Sequence, residues 1–107
     1  MTPAQLLKAV AAVTGVTVYG IRKRQLHSTL RCASDARMLT VLAAATLWPQ
    51  LPKGRLGKCV GLRHSGSIQS FNRGNARFRS DPEFAAKARQ LFALIQPHVS
   101  LPKQTTD

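Results

Sequence analysis

Residues 51–79 read LPKGRLGKCVGLRHSGSIQSFNRGNARFR and carry seven cations, Lys53, Arg55, Lys58, Arg63, Arg73, Arg77 and Arg79, with no acid among them. Gly61 divides the stretch, because a sharp turn needs backbone angles that glycine adopts without steric cost. Before it, Lys53 to Val60 has the length of a two-turn helix with Leu56 and Val60 facing inward. After it, a second helix is expected from about His64, with Ile68 and Phe71 on its buried side. Gly74 and Asn75 offer it one place to end, although Ala76, Arg77 and Phe78 continue the helical rhythm. Two helices joined by a tight turn make a helix-turn-helix, and the rest of the chain supplies a core for it.

Towards the N-terminus, Thr2 and Pro3 are the cap and first residue of a helix whose Leu6, Leu7, Val10 and Val13 recur at helical spacing until Gly15. A short extended link leads to a brief turn at Tyr19 to Ile21, closed by Arg22, Lys23 and Arg24. From Ser34, with Asp35 near its start, Met38, Val41, Leu42 and Ala45 form the stripe of a central helix that ends at Pro49. Arg37 lies off that stripe and is expected to face outward. Ser80 or Asp81 caps a last helix carrying Phe84, Ala88, Leu91, Phe92 and Ile95, and Pro97 stops it. The expected fold is all-α, a compact helical bundle of about five to six helices. Residues 1–96 form one domain and residues 97–107 a loose tail.

Sixteen Lys and Arg against four acids give a formal charge of +12 over 107 residues, and a hydrophobic fraction of 44% is enough for a folded core. That balance points to a polyanionic partner, nucleic acid before any acidic membrane or protein. No apolar run approaches the ~18 residues of a membrane span, and the first residues lack the basic leader and cleavage site of a signal peptide. A cytoplasmic, nucleoid-associated protein is expected, with Cys32 and Cys59 as reduced thiols. Catalysis is not expected. Asp35, Asp81, Glu83 and Asp107 read as caps and tail and not as a metal-binding pair, and His27, His64 and His98 show no metal-ligand spacing. No cofactor, metal or small-molecule substrate is expected.

For double-stranded DNA as the partner, the start of the second helix of the pair supplies the readers. Arg63, His64, Ser65, Ser67 and Gln69 have the size and chemistry to contact base edges in a major groove. Lys53, Arg55, Lys58 and Arg73 supply phosphate contacts that set register. The triplet Arg22–Arg24 reads either as a solvated loop or as an arm reaching a phosphate backbone or minor groove. His64 reads equally as a solvent-facing residue or as a base or phosphate contact.

The order of these parts resembles the C-terminal DNA-binding domain of DnaA, the bacterial replication initiator, over roughly residues 6–79. The resemblance is carried by VAAVTGVTVYGIR, by the basic Arg22–Lys23–Arg24, by Ala36–Arg37 at the head of the long helix, by Leu56–Gly57, and by Gly61-Leu62-Arg63-His64-Ser65-Gly66-Ser67-Ile68. It implies a Trp-repressor-like helical fold, a minor-groove contact from Arg22, Lys23 and Arg24, and a phosphate contact from Arg37. It also implies that Arg63, His64, Ser65, Gly66 and Ser67 lead the recognition helix into the major groove. The family's Asp-His-Thr-Thr is replaced here by His64-Ser65-Gly66-Ser67, so a target other than the DnaA box is expected. No G-x-x-x-x-G-K-[ST] loop is present. A sequence-specific transcription regulator, an activator, is therefore expected, with a non-specific architectural DNA binder or a replication-linked origin binder as the alternatives. The chain also resembles the N-terminal part of activators of gene transfer agent clusters, which implies RNA polymerase or a sigma-like protein as a second partner.

Overall fold

Local codes set the two ends of the bundle. Thr2 Oγ1 accepts a hydrogen bond from the Gln5 N–H at 3.2 Å while Gln5 Oε1 accepts from the Thr2 N–H at 2.9 Å, a reciprocal capping box. This starts α1 (Pro3–Thr14), which ends at Gly15 with φ 77°. The computed structural model describes residues 1–23 and 30–99, with backbone alone at 22–23 and 30–33. The further helices are α2 (Val18–Lys23), α3 (Leu30–Leu47), α4 (His64–Ser80) and α5 (Pro82–Ile95). Short 3-10 turns occupy Lys53–Arg55, Lys58–Val60 and Gln96–His98. The fold is an all-α bundle, with no strand among the described residues. Among the described residues no helix is long and apolar enough to cross a membrane.

The central helix is buried all round through its middle. Every residue from Ala36 to Ala44 is buried, not only the stripe of Met38, Val41 and Leu42. The physical reason is placement: α3 packs against α1, α2, α4 and α5, so none of its flanks is left to water through this stretch. The polar members of the run are satisfied internally, Thr40 Oγ1 donating to the Ala36 carbonyl at 2.8 Å. α3 also begins earlier than Ser34, at Leu30, which leaves Asp35 past the first turn and available to a neighbouring helix.

The expected first helix of the pair changes form. Lys53 to Val60 is not one two-turn helix but two 3-10 turns separated by Leu56 and Gly57, although Leu56 and Val60 are buried as expected. Side chains from beyond the turn explain the break: the His64 ring lies against Gly54, and Leu62 packs so closely on Gly57 that a Cβ there would sit 2.8 Å from that of Leu62. Gly61, at φ 79°, then reverses the chain, and the Leu62 N–H returns to the Gly57 carbonyl at 3.0 Å. Of the two readings open at Gly74, the continued helical rhythm holds, and α4 runs on to Ser80. Gly74 is buried where a side chain would crowd Leu42 of α3, so it is a close-packing position inside one long helix.

Asp81 accepts from the N–H groups of Glu83 and Phe84 to start α5, whose Phe84, Ala88, Leu91 and Ile95 enter the core. The chain continues through the Gln96–His98 turn, and Val99 is half-buried against the core, so the ordered part passes Pro97. Residues 100–107 of the expected tail lie outside the described residues.

Candidate nucleic-acid interface

α4 packs inward against α3, α5 and the Lys53–Arg55 turn, which leaves one continuous stripe to water. Ser65, Gln69, Asn72, Arg73 and Ala76 are exposed at i, i+4, i+7, i+8 and i+11. Asn72 completes this stripe and was not among the expected readers. The signal was available: seven residues after Ser65 is the same helical face, and the Asn72 amide offers the same donor and acceptor pair as Gln69. Arg79 extends the cationic end of the stripe and is also exposed.

The expected readers divide. Ser65 and Gln69 face outward and Arg63 is exposed, while His64 is exposed but has its ring seated against Gly54. Gly66 is half-buried beneath the stripe. Ser67 is a correction: it is fully buried and cannot reach a base. Its hydroxyl donates to the Lys53 carbonyl at 2.5 Å and accepts from the Gly57 N–H at 2.9 Å, so it pegs the whole double turn to the first turn of α4. A buried serine with both hydrogen-bond roles filled is a structural joint.

The expected phosphate contacts divide as well. Lys53 is exposed with Nζ 4.8 Å from the Phe71 ring centroid, and Arg73 is exposed on the stripe. Arg55 and Lys58 are exposed but line a groove with Trp48, Leu51 and Leu56 to which α4 contributes no residue. Arg37 is the second correction. It is 8% exposed and donates from Nη1 to the Ile21 carbonyl at 3.2 Å, tying α3 to α2 instead of facing outward. Being off the apolar stripe did not put it in water, because α2 covers that flank. Arg22 and Lys23 close α2, which packs against the Lys58–Val60 turn, and Arg24 lies outside the described residues.

The electrostatics sharpen the contrast along α4. No acid occurs between Asp35 and Asp81 in the sequence. Those two carboxylates meet Arg77 near the C-terminal end of the helix, with N–O distances of 2.5 and 2.7 Å. The hydrogen bond from Arg77 holds the Asp81 carboxyl below its ordinary value, helped by the Phe84 N–H, and the Asp35 hydrogen bond raises Arg77 in return. Arg77 also stacks over Phe84 at 4.7 Å. The other end of α4 has no such compensation: Arg63, the N-cap residue, makes no side-chain cap, and the first turn holds no acid. Its first amide N–H groups therefore lack a side-chain cap, and together with the positive end of the helix dipole they favour an anion.

Among the described residues no group of three or more His, Cys, Asp or Glu side chains is placed to hold a metal ion. No family model, curated protein or solved structure matches this chain.

Proposed function

We propose that the protein is a sequence-specific, double-stranded DNA-binding transcription regulator that lays α4 in a major groove. The observation that carries this reading is the outward stripe of α4: short polar side chains, Ser65, Gln69 and Asn72, bracketed by Arg63, Arg73, Arg79 and Lys53 with no acid on the surface between. Gln69 and Asn72 offer the paired donor and acceptor that reads adenine, while Arg63 and Arg73 suit guanine or phosphate. The uncapped start of α4 receives a backbone phosphate. α2 packs against the same double turn, and the basic residues that close it supply a further backbone contact. The resemblance to the DnaA C-terminal domain supports the reading with the motif residues already quoted, and the resemblance to gene transfer agent activators adds RNA polymerase or a sigma-like protein as a second partner. Arg37, Ser67, Arg55 and Lys58 are left out of the contact set for the geometric reasons above.

Selection of bound duplexes from a random pool at near-physiological salt tests this, and one enriched motif is expected. If Lys53, Arg63, Arg73 and Arg79 each neutralise a phosphate, log K falls with log salt at a slope of about −3.6. A slope near zero removes DNA as the partner. Tight binding with no enriched motif instead favours a non-specific architectural binder, a reading supported by the burial of Ser67, which removes one base reader from the face.

A further inference from the structure

Beside the double turn, and away from the outward stripe of α4, the surface opens into a trough of about 640 Å³. Its floor is apolar, formed by Trp48, Leu51, Leu56 and Cys59, and its rim carries Arg55 and Lys58. Leu51 is 37% exposed there, one of the few large apolar side chains of the described residues that stand in water. No acid lines the trough, so the two cations have no local counter-charge. Apolar floor and cationic rim together ask for an occupant with an apolar ridge and negative flanks. DNA has the charge but no apolar ridge. A second copy of this chain has apolar surface but brings another +12, which opposes association.

We infer that this trough is a docking site for an acidic amphipathic helix of a partner protein, its apolar ridge on Trp48 and Leu51 and its carboxylates on Arg55 and Lys58. The open shape suits a helix laid lengthwise better than an enclosed small molecule, and a tryptophan and an arginine are the side chains that most often dominate such contacts. Docking in the trough requires neither the outward stripe of α4 nor bound DNA.

Trp48 is the only tryptophan in the chain, so its emission reports occupancy of the trough directly. The probe is a synthetic peptide of roughly four turns with leucine at i, i+3, i+4 and i+7 and glutamate on its flanks. A peptide of the same composition with the leucines scattered is the control. Titrated against the full chain, the striped peptide should bind and shift Trp48 emission to the blue as water leaves the trough, while the scattered peptide should do neither. The double variant R55E/K58E should weaken striped-peptide binding by about tenfold. Leu51→Ser, a change at an exposed position that leaves the core intact, should weaken it as well. Three results overturn the inference: equal binding of both peptides, which reduces it to bulk charge; binding that leaves Trp48 emission unmoved; or no peptide binding. A Trp48 shift seen only with anionic vesicles would likewise overturn it, in favour of a lipid surface.

Discussion

The two ends of α4 solve the same problem in opposite ways. At the C-terminal end, Arg77 is enclosed by Asp35, Asp81 and the Phe84 ring, Asp81 caps the next helix, and the cations of the last turn suit the helix dipole. At the N-terminal end, Arg63 stands at the cap position without capping, and no acid relieves the first turn. The charges of the first end are compensated by their partners, whereas the second breaks two rules of helix stability within a few residues. Local rules broken together on an exposed surface are the pattern that the proposed contact with a DNA phosphate would require.

The contrast can be broken from either side. The largest effect should come from Ser67→Ala, which strands the Lys53 carbonyl and the Gly57 N–H; denaturant unfolding should show a loss of about 1–3 kcal/mol. DNA affinity should fall with it, because the loosened double turn no longer fixes Lys53 beside Phe71. Next, Arg77→Ala should cost about 1–2 kcal/mol in the same assay while leaving the salt slope of DNA binding unchanged, since Arg77 is committed internally. The sign of its pH dependence follows from Asp81. A carboxyl held below its ordinary value stabilises the fold above its unfolded pKa and loses that contribution as pH falls through the folded value. The gap between parent and Arg77→Ala should therefore narrow in acid below about pH 4. If the gap is the same at pH 3 and pH 7, the ion pair is not what Arg77 contributes.

A smaller effect, and one of opposite sign, is expected at the other end. Arg63→Ser supplies the missing cap and should raise thermal stability by about 0.5–1 kcal/mol while weakening DNA binding. Lower stability in that variant would mean that Arg63 is structural and the comparison of the two ends is misdrawn. The smallest change in stability belongs to Arg73→Ala, within about 0.5 kcal/mol of the parent, with the salt slope shallower by about 0.9. Arg73 and Arg77 lie one turn apart on one helix, and this pair of variants separates an outward cation from an inward one most cleanly.

What could be read from the sequence was whatever neighbouring residues decide among themselves. Thr2 with Gln5, Gly15, Gly61 and Asp81 act within three or four positions, and the apolar periods of α1 and α5 need only the helix itself. The misassigned side chains, unlike the overlooked Asn72, involve distant partners. Arg37 finds a carbonyl 16 residues away, Ser67 one 14 residues away, and Asp35 a guanidinium 42 residues away. The double turn could not be told from a helix because the His64 and Leu62 side chains that shape it come from beyond the reversal at Gly61. Of the candidate site, the basic and polar character of residues 51–79 was legible, and the identity of the outward stripe was legible in period. Which serine points out and which is buried was settled by the first turn of α4 docking on the Lys53–Arg55 turn.

The burial of the middle of α3, Ala36 to Ala44, on every side sets how the molecule opens. A helix with one wet flank exchanges its amide protons through local fraying, but the amides of Ala36 to Ala44 can reach solvent only after several neighbouring helices move apart. Their exchange in deuterated water should follow the free energy of global unfolding, while those at the start of α4 exchange through small local openings. One time course would thus rank the chain from its hub to its working edge.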